Sequence, residues 1–325
     1  MNGAFGSFDP TRRAAFERSL TVGNAGTVLL QTTISRVVQH LTNRQLGIQS
    51  TLPVRPGSGD AFYSNRRTAA ATGGAWIADT AEPTESEGAY TQVSFGFKSL
   101  VGRIKVTRKL IAQGRSYGDV LATELVGKAE DFFNDLETAC AVGDTNANAN
   151  QIDGLLTLIG NVSGQTVANT TADAGDSLYL DKLDTAIQTV KGAEDRGAMR
   201  IYGSYKGTRL MNNALQAQQR FNDEIDIDAG FRVRSYNGIP IITSTAIPDD
   251  MTWDYSELKV TVFSGAASTA LIVVNTNYVF FSELTSTTVM PLAKTSSQFD
   301  QVDMFRDLVL VLDNTLGGAI LAGLA

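Results

Sequence analysis

The sequence contains one cysteine and one histidine among its 325 residues. Cys140 has no partner for an internal disulfide, and so few thiols and imidazoles exclude the usual multi-cysteine and multi-histidine metal sites. A single His40 also excludes catalytic mechanisms that need two imidazoles. We expect no bound metal, and we interpret Cys140 as a small apolar side chain on a buried helix face.

Long apolar runs and nucleotide-binding motifs are also missing. The longest apolar stretches, around Ala270–Val274 and at Gly317–Ala325, fall far short of the ~20 residues that span a bilayer. No basic-then-apolar export signal is seen. The sequence has no GxGxxG, GxxxxGK[ST] or GxSxG pattern, so it predicts no membrane role, no cofactor and no enzymatic activity.

Basic residues are outnumbered by acidic ones, 27 against 34, which gives a formal net charge of −7. This balance disfavours tight binding to a phosphate backbone, because such affinity comes from Lys and Arg. Hydrophobic residues make up 43% and charged residues 19%. These values are typical of a packed fold, and the length allows roughly two domains of about 150 residues.

A long helix is predicted over residues 117–141, opened by Ser116 and Asp119 as a capping box and ended by Gly143. Its apolar residues recur at three- and four-residue steps, which predicts one buried stripe. The stripe consists of Leu121, Leu125, Ala129, Phe132, Leu136 and Cys140.

Helical and strand periodicities both occur after residue 178, and this mixture predicts an α+β fold. The predicted helices cover 180–190 and 205–218, the second capped by Ser204. The predicted strands are 93–97, 104–107, 199–202, 239–243, 258–263, 270–274, 278–281 and 308–312.

Two segments suit a monomer poorly. Residues 1–26 are rich in Gly, Ala, Ser and Arg without periodicity, and a helix is predicted only from residue 28 to about 43. Residues 51–92 contain repeated Pro and Gly with few apolar side chains. A loop of ~40 residues is improbable inside a compact domain, so we expect it to project and to become ordered on a neighbouring chain.

Two acidic segments superficially resemble calcium loops. The turn 143–154 lacks the central glycine and the closing glutamate, and the cluster Asp223, Glu224, Asp226 and Asp228 has Ala229 where the glycine belongs. We interpret both as solvated loops rather than as metal sites.

Several motifs, taken in order, resemble the major capsid proteins of tailed bacteriophages, which have the Hong Kong 97 fold. The first motif ends the projecting loop and the others follow it. Together with the arm and the loop, they extend the resemblance over about residues 28–312. They are Glu82–Glu87, Val93–Phe97, Ile104–Leu110, Gly143–Thr145, Asn150–Leu156 and Arg234–Ile242.

The resemblance implies four parts. These are an N-terminal arm with a short helix (1–50), an extended loop hairpin (51–105), a peripheral domain (106–150 with 276–325) that contains the long helix, and an axial domain (151–275).

The implied function is that of a major capsid protein. Its copies would form pentamers and hexamers in an icosahedral shell around double-stranded DNA, without sequence-specific binding. The implied partners are further copies of the chain, a portal and, as in some relatives, an outer cement protein. The location would be the virion, after assembly in the host cytoplasm. A nanocompartment shell that encloses cargo enzymes, similar to encapsulins, is the alternative within the same fold. A soluble α+β enzyme or binding domain is the alternative from another class.

Some members of this family join a lysine of the extended loop covalently to a neighbour's asparagine. This chain has no lysine from Thr51 to Phe97, so we expect non-covalent contacts. The candidate inter-subunit residues are the charged ones of the loop, namely Arg55, Arg66, Arg67, Glu82, Glu85 and Glu87. Each could equally be a solvated charge. Some members also carry a long helical scaffolding segment ahead of the arm. Here the helix of the arm starts within about 28 residues of Met1, so we expect any scaffolding to be supplied by a separate protein.

Overall fold

The computed structural model describes most of the chain from residue 47 onward. The described residues are 47–71, 76–82, 84–114, 120–169, 178–217, 223–227, 231–254, 259–262, 268–292 and 298–325. The predicted arm with its helix and His40 lies outside these ranges, as do the cap at Ser116 and the first residues of the predicted long helix.

Six α-helices occur in the described residues. In chain order they are α1 (Gly47–Thr51), α2 (Arg108–Gly114), α3 (Val120–Val142), α4 (Leu155–Gly160), α5 (Leu180–Thr189) and α6 (Tyr205–Ala217). Two short 3-10 turns lie at Arg196–Ala198 and Thr315–Gly317.

The strands of the same residues are numbered β1 to β15. They are β1 (Val54–Pro56), β2 (Ala61–Ala69), β3 (Ala89–Gly96), β4 (Lys98–Thr107), β5 (Thr166–Ala168), β6 (Met199–Gly203), β7 (Asp223–Ile227), β8 (Phe231–Tyr236), β9 (Ile239–Thr243), β10 (Thr252–Asp254), β11 (Lys259–Val262), β12 (Thr269–Asn275), β13 (Val279–Pro291), β14 (Phe299–Leu312) and β15 (Gly318–Leu324).

The predicted long helix is present as α3 and ends at Val142, one residue beyond its predicted end. Phe132, Leu136 and Cys140 are buried, whereas Leu121 and Leu125 near its start are half-buried. Directly after the helix, the returning chain packs on Gly143, where an added Cβ would clash with the Ile152 carbonyl oxygen. Only glycine allows this approach.

A four-stranded sheet, in the order β1-β13-β14-β4, packs against α3. Alternate residues of β4 point to opposite faces, and Ile104 and Val106 are buried on the α3 side. Gly102 brings the strand close to the helix, since a Cβ there would lie 3.4 Å from the Phe132 ring. We call the opposite side of this sheet the hairpin face.

A seven-stranded sheet, in the order β5-β15-β12-β6-β9-β8-β7, forms the other layer. Its strand β12 is buried throughout, because alternate residues enter two different cores. Ile272 and Val274 pack with α3 and the leucines of β14, whereas Leu271 and Val273 pack with α5 and α6. A strand covered on both faces reads as a continuous apolar run, as this one does.

Two segments differ from the sequence expectation. Asp223–Ile227 is a strand and not a solvated loop, because its acids alternate with Ile225 and Ile227 and it pairs antiparallel with β8. In the register of the two strands, Glu224 pairs with Arg234 and Ile225 with Val233. The strand β15 was expected only as an apolar stretch too short for a membrane, and it pairs antiparallel with β12.

Two of the predicted domain boundaries separate strands that pair with each other in the sheets. The limit at residue 105 falls inside β4, which pairs with β14 along Lys98–Thr107. The strand β15 lies in the seven-stranded sheet although residues 276–325 were grouped with the long helix. Hydrogen-bonded neighbours in a sheet are distant in sequence here, so a division by chain position separates strands that pair.

Candidate subunit-contact surface

The projecting loop contains a two-stranded hairpin of β2 and β3. The strands pair antiparallel from Ala61 with Gly96 at the root to Ala69 with Ala89 toward the tip. Alternate aromatic residues of the hairpin point to the hairpin face of the four-stranded sheet and pack there. The residues in contact are Phe62, Phe95 and Phe97 of the hairpin region with Phe280, Val309 and Val311 of the sheet.

Arg66 fixes the middle of the hairpin to the end of β14. Its Nε donates to the Asp313 carbonyl oxygen at 2.9 Å, its Nη2 donates to the Leu312 carbonyl oxygen, and its guanidinium lies 5.7 Å from the Phe95 ring centre. Ser64 Oγ also donates to the Asp313 carboxylate at 2.5 Å. Desolvation lowers the pKa of Arg66, and the charge of Asp313 opposes this shift. Arg66 therefore has partners inside its own chain.

Arg55 is also engaged within the chain. Its guanidinium carbon lies 3.7 Å from the centre of the Phe280 ring, a cation–π geometry, and Nη2 donates to the Asn277 carbonyl oxygen at 3.2 Å. The parallel pairing of β1 with β13 sets this position, since Arg55 faces Ser282 in the register. Two of the six predicted contact residues, Arg55 and Arg66, thus hold the loop on its own chain.

The other four predicted residues lie on the outer part of the loop and are exposed. Within the part of the chain that the structure describes, Arg67, Glu82, Glu85 and Glu87 make no hydrogen bond or ion pair. The structure therefore does not bring the six residues together into one cluster. It separates two internal anchors from four free charges.

Two aromatic side chains of the loop are highly exposed, and the charge-based prediction missed both. The relative exposure of Trp76 is 106% and that of Tyr90 is 72%. Large aromatic residues in a Gly-, Ala- and Thr-rich loop are the signal that could have identified them, because Trp and Tyr are enriched at interfaces between chains.

The far end of the hairpin face carries basic groups. Arg103 forms a bidentate ion pair with Asp303, and both N–O distances are 2.7 Å. This pairing raises the pKa of Arg103 and lowers that of Asp303. Lys105 Nζ lies 3.9 Å from the Phe299 ring centre. Val101 on the same face is 58% exposed, so no described segment covers it.

A buried carboxylate joins the first described helix to the long one. Glu137 of α3 is 2% exposed and accepts hydrogen bonds from the Ile48 N–H at 2.8 Å, the Gln49 N–H at 3.0 Å and the Ser244 hydroxyl at 2.7 Å. Gln49 Nε2 also donates to the Phe133 carbonyl oxygen at 2.7 Å. The chain that follows residue 46 is thereby held on α3. The signal in the sequence that could have indicated this contact is a glutamate next to the apolar stripe of α3.

The polar turn after α3 is closed by its own side chains. Asp153 Oδ1 accepts from the Thr145 N–H at 2.8 Å, and Asp144 Oδ1 accepts from the Asn146 N–H at 2.8 Å. The described residues contain no group of three or more His, Cys, Asp or Glu side chains placed to hold a metal ion. None of the helices described is long and apolar enough to cross a membrane.

The sequence profile of a known family matches residues 26–288, most of the chain and including the loop, α3 and the central strands. That family is described as the phage capsid family. The chain belongs to the phage capsid family. No curated protein matches the sequence of this capsid protein.

Solved capsid structures share the fold of this phage capsid protein. The capsid of an empty GTA particle is 15% identical with a TM-score of 0.71, and the match covers 99% of this chain and 100% of that one. The capsid of cyanophage A-1(L) is 12% identical with a TM-score of 0.70, over 92% and 98%. A holo-encapsulin complex of Synechococcus elongatus is 13% identical with a TM-score of 0.66, over 92% and 94%.

These likenesses identify a Hong Kong 97-type fold, and the family identifies a capsid shell protein. Both expectations from the sequence motifs are confirmed. Proteins of this family and fold have a structural role.

Proposed function

We propose that this capsid protein is the major shell subunit of a tailed phage, and that its copies form pentamers and hexamers in an icosahedral shell around double-stranded DNA. The proposal rests on the contrast between two parts of the loop. Arg66 tethers the hairpin to the sheet of its own chain, whereas Trp76, farther along the loop, is fully exposed. An aromatic side chain of that size supplies a large apolar contact to a second chain.

The four expected parts carry over as a proposal with two changed limits. We assign residues 1–50 to the arm and 51–97 to the extended loop, because β4 pairs along its whole length with β14. The peripheral domain would contain β4, α3, β13 and β14. The axial domain would contain the seven-stranded sheet with β15, since β15 pairs with β12.

The contacts between copies are proposed to be non-covalent. The loop has no lysine between Thr51 and Phe97, and the next one, Lys98, donates to the Ala149 carbonyl oxygen at 2.6 Å near the root. An exposed ion pair contributes only ~0–1 kcal/mol. Stability would come from repetition of modest interfaces in a closed assembly, with aromatic residues of the loop as the main apolar contribution.

We propose a separate scaffolding protein, a portal and an outer cement protein as further partners, with assembly in the host cytoplasm and a final location in the virion. The enclosed DNA would be held without sequence-specific binding. The exposed side of α3 supports this, since it carries acidic residues that repel phosphate. These are Glu124, Glu130, Asp131 and Asp135.

A nanocompartment shell is the second candidate, and the similarity to an encapsulin complex favours it specifically. The test is to express the full chain, purify particles and image them by electron microscopy. Polyhedral shells with nuclease-protected double-stranded DNA, obtained with the phage's other gene products, support the phage capsid. Shells that contain a co-purifying enzyme and no DNA support the nanocompartment. A chain that stays monomeric at every concentration and with every partner overturns both.

A further inference from the structure

Charge is sharply divided along the chain around the loop. From Thr68 to Phe97 there are four acidic residues and no Lys, Arg or His, whereas Lys98–Lys109 has five basic residues and no acid. We call Asp79, Glu82, Glu85 and Glu87 the acidic tip, and Arg103, Lys105, Arg108 and Lys109 the basic strip. All eight residues are exposed.

The basic strip has little internal compensation. Arg103 is paired with Asp303, and the Lys105 ammonium lies over the Phe299 ring. Arg108 and Lys109, in the first turn of α2, have no ion-pair partner among the described residues. Asp303 therefore offsets one of four positive charges, and the strip keeps an excess of about three. The nearby Val101 offers an exposed apolar surface on the same face.

The fold places the two regions at opposite ends of one sheet. The hairpin crosses the end of β14 at Asp313, where Ser64 and Arg66 bind, and its strand pairing continues beyond Arg66 to Ala69 with Ala89. The basic strip lies at the other end, where Thr107 pairs with Phe299. Between these ends, β14 has 14 residues, a length of about 45 Å at ~3.3 Å per residue. The length of β14 therefore separates the hairpin of a chain from its own basic strip.

We infer that the acidic tip of one copy docks on the basic strip of the next copy, with Trp76 seated beside Val101. This inference rests on the proposed function and names the surface that receives the loop. The two surfaces differ, so the contact is head-to-tail, and such contacts form a ring when the rotation between successive copies closes. Charge complementarity would select this register, and it would weaken as salt shortens the Debye length below ~8 Å.

The first experiment reverses the charges. In one variant Glu82, Glu85 and Glu87 become Lys, in a second Lys105, Arg108 and Lys109 become Glu, and a third carries both sets. We expect each single-sided variant to raise the concentration needed for ring or shell formation at least tenfold, and the combined variant to restore it. The matched control reverses three acids on the exposed side of α3, namely Glu124, Asp131 and Asp135. It should keep the wild-type threshold.

The outcomes separate this inference from the proposed function. Wild-type shells together with normal assembly of both single-sided variants overturn the docking and leave the capsid role intact. Loss of assembly without rescue in the combined variant also overturns the docking. A wild-type chain that never assembles counts against the proposed function itself. Circular dichroism and melting temperature verify that every variant is folded.

A second measurement tests the geometry in assembled protein. The double variant Glu85→Cys/Lys109→Cys is oxidised with diamide and run on a non-reducing gel. Cys140 is fully buried and gives no background. Head-to-tail docking predicts a ladder of dimers, trimers and higher species up to a closed ring. No cross-linking, the same yield from Asp135→Cys/Lys109→Cys, or a product that stops at dimers would refute it.

Discussion

Removing the charge of Glu137 should loosen the junction between α1 and α3. The carboxylate is buried, and it accepts two backbone N–H groups and one hydroxyl. In Glu137→Gln, the remaining oxygen can keep the Ile48 N–H and the Ser244 hydroxyl, which both bind Oε1. The Gln49 N–H, which binds Oε2, would then face an amide NH₂ group and lose its acceptor.

The expected cost follows from these contacts. Hydrogen bonds to a charged group contribute about 1.5–3 kcal/mol, and a buried donor left without an acceptor costs about 1–3 kcal/mol. The substitution keeps the shape of the side chain, so no cavity adds to this. We expect the junction to be destabilised by about 2–3 kcal/mol, which corresponds to roughly 30- to 160-fold in an opening equilibrium.

Amide hydrogen exchange of unassembled subunits measures this directly. Exchange at Ile48 and Gln49 should accelerate by that factor, with a lower denaturation midpoint. The matched control is Glu124→Gln, an exposed glutamate on the same helix, which should change stability by less than about 0.5 kcal/mol. If Glu137→Gln exchanges as slowly as the wild type, the carboxylate does not hold this junction and the reasoning fails.

Three further substitutions or reactions test other features. Trp76→Ala should abolish or strongly weaken assembly without lowering the melting temperature of the subunit, because the side chain is fully exposed in the monomer; unchanged assembly would contradict this. Gly143→Ala should cost several kcal/mol, on the order of 3, by the clash of its Cβ with the carbonyls of Ile152 and Ala139, whereas Gly96→Ala, with nothing within 4 Å, should be close to neutral in urea denaturation. Cys140 should not react with a thiol reagent at pH 8 in the native protein, since burial raises its pKa well above the ordinary value; rapid labelling would refute its burial.

The periodicity of apolar residues is sufficient to predict those helices and strands that are buried on one face or on both. The helix α3, the helices α5 and α6, and the strands β9 and β12 were predicted within a few residues, because each has a regular apolar pattern. Ser204 caps α6 as predicted, accepting from the Gly207 N–H at 3.0 Å. Such segments carry their structural signal locally.

Pairing between distant segments was not readable in the same way. The strand β15 had the composition for a buried strand, but its pairing with β12 and β5, which makes it part of the sheet, is not visible in its own sequence. The acidic residues of β7 alternate with isoleucines, and this strand pattern is recognisable only once its pairing with β8 is known. Similarly, Arg55 and Arg66 looked like free loop charges, and the carbonyl oxygens that they bind lie more than 200 residues away. Charge alone cannot distinguish an internal anchor from an external contact.

The long central strand β14 also has a mechanical meaning. It is hydrogen-bonded antiparallel on both sides, to β13 and to β4, along most of its length. If neighbouring copies pull on the hairpin at one end and on β4 at the other, the load runs parallel to these strands. Hydrogen bonds loaded in that direction must break together rather than one after another. The subunit would therefore resist stretching of the shell along the direction of these strands.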